Sequence, residues 1–256
     1  MEARVAVLAV FKNEADILDE WLQHYLREGV GRFYLIDNDS DDNVRAVLSG
    51  YDPDVVQWYT DARRHAQVSI YNDALESRIK PDPWNPEWIL VCDLDEFVYA
   101  PPRNDTIAAY LSRLPSNVTE VRVRWLMFGS SGHKEQPAEG VVAGFRWRAR
   151  YPLHHAYTDY WKSIVRTSAI EALHVHEHAM LPGDACPPLL VDTETEETIA
   201  DAPLRMNHYA VMSYGRFSRI KMVRGDVHTP SNDGFRDDHY FQRYDFKEVL
   251  DNDLHE

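Results

Sequence analysis

Cysteine is almost absent from this chain: there are two in 256 residues, Cys92 and Cys186. Two are too few for a disulfide framework or a Cys-based zinc site, and their scarcity points to a reducing, cytoplasmic setting. Cations are short as well. Lys and Arg number 27 against 42 Asp and Glu, a net charge of −15. That argues against a protein that tracks a nucleic-acid backbone, which takes clustered basic residues. An anionic ligand must be gripped at one place, with a metal to help. Long apolar runs are missing too: none approaches the ~20 residues of a membrane span, and no N-terminal signal peptide is visible. This leaves only peripheral membrane association open. The triplets at Asn104 and Asn117 match the N-glycosylation pattern, but without a secretion signal they read as chance.

What the chain does have is core-forming material. Hydrophobic residues make up 44%, with seven Trp, enough for a single domain over 1–256. Trp21 and Trp88 read as core, and Cys92 as a small buried residue. The stretch 4–10 is nearly all apolar, as in a central strand covered on both faces. Asn13 then offers an N-cap, Ile17, Leu18, Trp21, Leu22, Tyr25 and Leu26 recur at helical spacing, and Gly29 offers a stop. Strands over 32–36 and 55–59, an acidic loop over 37–42 and a helix over 66–79 continue the alternation. It leads to the strand that contains Ile89-Leu90-Val91. Strands alternating with helices predict βαβ units and a mostly parallel α/β sheet flanked by helices. The second half is less regular. It reads as a helix over 106–114, a strand over 120–125, a Gly/Ser loop over 128–133 and strands over 141–150, 162–166 and 173–176. An acidic loop over 184–202 and a helix over 212–223 follow.

The chemistry concentrates at Cys92-Asp-Leu-Asp-Glu96, where a buried strand runs directly into three carboxylates. In a parallel sheet, ligands collect at the carboxyl ends of the strands, so residues 11–14, 37–42 and 93–96 should converge on one rim. Along a strand, residues i and i+2 point the same way, which aims Asp93 and Asp95 at one point. Two carboxylates so aimed repel, and a hard divalent cation relieves the repulsion while staying open to phosphate oxygens. Mn²⁺ or Mg²⁺ suits such oxygen ligation better than Zn²⁺. The bland alternative is a solvated turn, but a turn chosen for solubility need not follow an apolar strand directly. Lys162, Arg63, Arg64 and Lys221 are candidates for diphosphate contacts, Lys162 foremost. His174 and His176 could share a strand face. Trp125, Phe128, Trp147 and Trp161 lie where acceptor sugars could stack.

Taken in order, these motifs resemble nucleotide-sugar-dependent glycosyltransferases of the A fold, closest to the family 2-like and family 92 group. The resemblance rests on Val10-Phe-Lys-Asn-Glu14, Tyr34-Leu-Ile-Asp-Asn-Asp-Ser-Asp-Asp42, Trp88-Ile-Leu-Val-Cys-Asp-Leu-Asp-Glu-Phe97, Phe128-Gly-Ser-Ser-Gly-His133, Lys162-Ser-Ile-Val165 and Asn207-His-Tyr209. It implies a nucleotide-binding half over 1–100 and an acceptor-binding half over 101–256. It further implies that Phe11 and Asp37 grip the base with Asn13 or Glu14 nearby, and that Asn72 lies near the donor. Asp93 would lie near the ribose or sugar. Asp95 would bind the metal that bridges the diphosphate, and His208 would complete that metal site. Family 92 enzymes are inverting transferases, several of which use UDP-galactose. The activity implied is metal-dependent transfer of a hexose from a nucleotide sugar, a UDP-sugar above all, to a glycan or glycoconjugate hydroxyl. Inversion needs one in-line attack helped by a base. Glu177 ranks first for that role, ahead of Asp159, Asp226 and Glu135, because its aromatic and polar surroundings could raise a carboxylate's pKa. Two rivals belong to other classes: a catalytically silent glycan- or nucleotide-binding module on the same fold, and a hydrolase with a metal centre at His174, His176 and Asp93.

Overall fold

Every position of Val5–Phe11 (β1) is buried, because this strand lies inside the sheet with an element layer on each face. In the computed structural model, residues 2–101, 105–153, 160–182, 187–191, 193–224 and 234–255 are described. After β1 the first half runs through helix α1 (Ala15–Arg27), β2 (Val30–Asp37), α2 (Val44–Leu48), β3 (Val56–Thr60), α3 (Gln67–Ala74) and β4 (Trp88–Val91). The strands β5 (Glu96–Tyr99), β6 (Glu120–Met127), β7 (Trp147–Arg148), β8 (Trp161–Arg166), β9 (Ile170–Ala172), β10 (Ala179–Met180), β11 (Leu189–Val191), β12 (Arg205–His208) and β13 (Val249–Leu250) complete the set, with α4 (Ile107–Ser112) between β5 and β6. Nine strands form one sheet in the order β3-β2-β1-β4-β8-β6-β12-β5, with β11 beside β6. The first four are mutually parallel. β8 then enters antiparallel between β4 and β6, and β5 pairs antiparallel with β12. The predicted α/β class and mostly parallel sheet hold, with two antiparallel insertions that periodicity could not reveal.

The core fills both faces. Trp21 and Trp88 are fully buried, as the sequence reading has them, and Trp21 packs with Leu18, Leu22 and Tyr25 of α1 against β1 and β2. On the other face Ile70, Tyr71 and Ala74 of α3 meet Ala6, Leu8, Ile36 and Val91. Gly29 ends α1 at φ +83°, the left-handed turn that glycine takes without strain. Asn13 does not cap α1. Its side-chain oxygen accepts from Asp41 N–H at 2.9 Å, tying the loop after β1 to the loop after β2, while Asp42 Oδ2 accepts from Ala15 N–H at 2.9 Å.

The second half departs from expectation in three places. Residues 141–150 are not one strand: only Trp147–Arg148 (β7) is, and Val141–Gly144 is a helical turn, because Glu20 of α1 accepts from the N–H groups of Val141 at 2.6 Å and Val142 at 2.9 Å, an anion at a helix N-terminus. Residues 173–176 are not a strand either. Asn72 takes both backbone groups of Leu173, at 2.9 Å each, and His174 N–H donates to His178 Nδ1 at 3.1 Å, so no ladder partner is needed. Within the stretch expected as an acidic loop, 184–202, Leu189–Val191 forms β11 of the sheet and Glu196–Asp201 a helix, while 184–186 and 192 lie outside the described residues. Helix Tyr214–Arg216 passes through a π-helical turn, Phe217–Lys221, into Met222–Arg224, where a helix is predicted. No helix among the described residues is long and apolar enough to cross a membrane.

Candidate functional site

The carboxylates Asp93 and Asp95 sit on the turn between β4 and β5, not on a strand as the spacing suggests. The turn is held from three sides. Glu96 N–H donates to Asp93 O at 3.1 Å, Trp21 Nε1–H of α1 donates to Asp93 O at 3.2 Å and Glu96 O at 3.1 Å, and Tyr209 N–H donates to Asp95 O at 2.8 Å. The antiparallel register of β5 and β12 sets His208 opposite Glu96, which brings its ring beside Asp95. Both carboxylates line one cavity of about 440 Å³, together with His208, His176, Gln67, Trp125 and Lys221.

Each carboxylate has its own ammonium. Lys162 Nζ lies 2.9 Å from Asp93 Oδ2 and 3.4 Å from Glu96 Oε2. Lys221 Nζ donates to Asp95 Oδ2. Burial raises the pKa of Asp95, but Lys221 and His208 outweigh it and hold the group well below the usual carboxylate range. Asp93 is likewise held down, with Lys162 overcoming desolvation and the repulsion of Asp95. Glu96 goes the other way: burial wins over Lys162 and lifts it. Lys162 itself is raised well above the ordinary lysine value, since Asp93 and Glu96 overcome its burial. Burial pushes His176 down to about 4, with Lys162 adding to it. Its Nδ1 sits 3.1 Å from the carbonyl of Trp161, so Nδ1 carries the proton and Nε2 the lone pair.

Among the described residues, no group of three or more His, Cys, Asp or Glu side chains is set to hold a metal. The donors on hand are Asp95 and His208, whose Oδ2 and Nε2 are 3.7 Å apart, inside the reach of two bonds of about 2.1 Å to one ion. His208 Nδ1 is buried with no hydrogen-bond partner among the described residues. A carboxylate with one imidazole is a donor pair that can hold a hard divalent cation such as Mn²⁺, so the residues present fit one, with Asp93 on the same cavity.

A second hollow, of about 420 Å³, opens at the ends of β1, β2 and β3, lined by Lys12, Asn13, Asn38, Asp41, Arg64 and Val223 among others. A small cleft lined by Phe11, Glu14, Asn38, Gln67, Asp93 and Arg224 shares Asn38 with this hollow and Gln67 and Asp93 with the Asp95 cavity, and Arg224 lines all three. Phe11 and Glu14 line this cleft beside Asp93, not the hollow at the ends of β1 to β3, which Asn13 lines. Glu14 is buried between Arg216 and Arg224. Asp37 lies beneath the hollow. Fully buried, it accepts from Ser40 N–H at 2.9 Å and so shapes the loop that lines it. Asn72 braces Leu173 and lines none of these cavities.

The remaining candidates scatter. Glu177 is exposed, ion-paired to Arg122 at 2.9 Å, and lines a separate open hollow with His174 and His178. His174 and His176 are not brought together with Asp93 as a metal centre. Glu135 is exposed beside Arg219, and Arg63 is taken up by Asp61 and Asp73. Asp159 and Asp226 lie outside the described residues, as does Cys186. Cys92 is buried against the Tyr25 hydroxyl. Of the four aromatic candidates only Trp125 lines the Asp95 cavity. Phe128 is core, Trp147 is partly exposed beyond it, and Trp161 lies under the Arg122 guanidinium. Tyr160, Phe235, Tyr240 and Tyr244 complete an aromatic wall. The sequence singles out the acidic, aromatic stretch 235–251 but leaves open whether it covers an acceptor or packs on the sheet, and it gives no signal for Tyr160.

Comparison with known proteins gives a consistent result. The model of glycosyltransferase family 92 matches residues 5–242. A glycosyltransferase family 92 protein of Oryza sativa subsp. japonica is 30% identical over 171 residues, 65% of this chain and 27% of that protein. One of Ricinus communis is 28% identical over 177 residues, 66% of this chain and 29% of that protein. The chain thus spans under a third of the length of these curated relatives. Among solved structures, a glycosyltransferase involved in the glycosylation of the major capsid of PBCV-1 aligns with a TM-score of 0.39 and 13% identity, covering 83% of this chain and 96% of that one.

Proposed function

The chain belongs to glycosyltransferase family 92, and from that premise we propose that it transfers a sugar from a nucleotide donor, a UDP-sugar above all, to a glycan hydroxyl, with a divalent cation and with inversion. The observation that carries this reading is the shared cavity of Asp93, Asp95 and His208 at the carboxyl rim of the parallel strands, with Arg224 lining both it and a second hollow on the β1–β3 side. The hollow edged by Asn13, Asn38 and Arg64 is the place for the nucleoside. The cleft at Asp93 and Arg224 takes the diphosphate, and the aromatic chamber beyond takes the acceptor.

Asp95 and His208, with Asp93 beside them, would hold Mn²⁺ or Mg²⁺. When bound, the cation neutralises charge that builds on the departing diphosphate. Lys162 fixes the Asp93 carboxylate so that it keeps one orientation toward the donor. Trp21 and Tyr209 hold the turn backbone, so the carboxylates are set before substrate arrives. Trp125 and Tyr160 exclude water from the reacting face. A hydroxyl attacking in line must lose its proton. In the described chamber the neutral His176 has a free lone pair at Nε2, and by sequence Asp159 and Asp226 are the carboxylates to compare with it.

The test is a thermal-shift panel of nucleotide sugars with and without Mn²⁺, followed by transfer assays and assignment of the product anomer by NMR. A UDP-sugar with Mn²⁺ should raise the melting temperature by mass action, and Asp95→Ala should remove the metal-dependent part. A protein that binds the pair yet never turns over would favour the silent module. One that responds to no nucleotide would sink the reading.

A further inference from the structure

We propose that Lys221 is an internal counter-ion that keeps the cation position at Asp95 closed, and that its ammonium moves to the donor's diphosphate when a divalent cation takes Asp95. The inference rests on the metal-dependent reading above. It starts from one atom. Asp95 Oδ2, the oxygen that faces His208 Nε2 at 3.7 Å, is also the oxygen that accepts from Lys221 Nζ. A cation shared by Asp95 and His208 would compete with that ammonium for the same oxygen, and two positive charges drawn to one buried oxygen repel each other.

Lys221 differs from the neighbouring Lys162 in how firmly it is held. Lys162 is fully buried between two carboxylates, Asp93 and Glu96. Among the described residues Lys221 is ion-paired with one, Asp95, and it lines the cavity. Its four-carbon stem can swing the ammonium several ångströms with no backbone movement. Its base is a π-helical turn, Phe217–Lys221. The wider turn lets residues five apart, Arg216 and Lys221, face the sheet rim together, and π turns of this kind recur at functional sites. Arg216 is anchored on Asp16 and Glu14, and Arg224 on Glu14, so the helix stays in place while the lysine moves. The displaced ammonium then needs an anion, and the adjoining cleft is where a diphosphate would lie. Metal and diphosphate must therefore bind with a coupling that Lys221 enforces.

The experiment titrates Mn²⁺ into the wild-type chain, Lys221→Met and Lys221→Gln, with and without UDP, following free Mn²⁺ by electron paramagnetic resonance. Without UDP both variants should bind Mn²⁺ about tenfold more tightly or better, and the tightening that UDP adds should shrink by a similar factor. Lys221→Met strands the Asp95 charge, so it should melt lower than wild type and recover more on adding Mn²⁺; Lys221→Gln keeps a hydrogen-bond donor and guards against a variant that fails to fold. Unchanged Mn²⁺ affinity in both variants, with wild type and variants alike losing it on Asp95→Asn, overturns the inference and leaves the metal reading standing. Absence of Mn²⁺ binding in every protein, with UDP or without, overturns both.

Discussion

Lys162 Nζ lies 2.9 Å from Asp93 Oδ2, though 69 residues separate them in the chain. The sheet makes the meeting inevitable. β8 runs antiparallel beside β4 with Leu90 opposite Ile164, and extending that register by two places sets Lys162 opposite Cys92, one residue short of Asp93. The ammonium is fully buried and also 3.4 Å from Glu96 Oε2. Removing one partner of such a buried set leaves uncompensated charge, typically a loss of ~3–5 kcal/mol. Lys162→Met should lose about that much stability in urea denaturation. A change within about 1 kcal/mol of wild type would show that the cluster is not held by charge.

Trp21 Nε1–H donates to both Asp93 O and Glu96 O, so one indole of α1 braces both ends of the acidic turn. Trp21→Phe keeps most of the buried ring and deletes the donor. Each carbonyl loses one partner and keeps another, Asp93 O the Glu96 N–H and Glu96 O the Tyr25 hydroxyl, so the cost is that of a net hydrogen bond, about 0.5–1.5 kcal/mol. We expect a stability loss in that range and a larger fall in transfer rate than in donor binding, because the carboxylates lose their fixed backbone. Equal losses in both would mean the turn needs no such support.

How much of this could be read from the chain depends on the range of the interaction that decides it. β1, α1, β2 and β4 were legible because burial on both faces writes continuous apolar runs and α1 writes a helical stripe. The convergence of Phe11, Glu14 and Asp93 followed from parallel topology alone. The strand expected at 173–176 was not there because Asn72, about a hundred residues earlier, satisfies Leu173. The start of the strand expected at 141–150 gave way to a helical turn because Glu20 reaches across from α1, which leaves only Trp147–Arg148 as strand. Neither partner is visible in the local pattern. The Lys221 contact with Asp95 was hidden for another reason: a π turn puts Arg216 and Lys221 on one face at a spacing that an α-helical reading assigns to different faces.

Two buried imidazoles should make the fold acid-sensitive. Burial, aided by Lys162, lowers His176 to about 4 and His178 to about 3, whereas an unfolded histidine titrates near 6.5. The folded values are depressed, so the unfolded chain binds more protons below pH ~6.5. Their contribution is therefore complete above ~6.5 and is lost as pH falls toward 4 for His176 and 3 for His178, by up to about 1.4 kcal/mol per pH unit for each ring. His178 has a further reason to stay neutral, since its Nδ1 accepts from His174 N–H. Urea denaturation at pH 7.5 and 5.0 should show a slope that flattens in His176→Gln with His178→Gln. Parallel slopes for variant and wild type would rule the two rings out as its source.

On the proposed function, the aromatic wall opposite Asp95 serves the acceptor and the hollow on the β1–β3 side the donor. Tyr240 lies 5.2 Å from Phe235 and 4.5 Å from Tyr244, ring centre to ring centre, and all three line the chamber with Trp125 and Tyr160. Phe235 is half exposed at 51%, an apolar face that a sugar's C–H face can cover at little ordering cost. None of these rings lines the hollow on the β1–β3 side, so a change there should leave the nucleotide alone. Phe235→Ala removes an exposed ring with little effect on folding, and loss of one stacking contact is worth roughly 0.5–1.5 kcal/mol. We expect the acceptor KM to rise by roughly two- to tenfold while donor KM and hydrolysis of the donor by water stay at wild-type values. Tyr240→Ala should act in the same direction and more strongly, because its ring also packs on Phe217 at 5.9 Å. A rise in donor KM with the acceptor unaffected would reverse the assignment, placing the nucleotide in the chamber and the acceptor at the ends of β1 to β3.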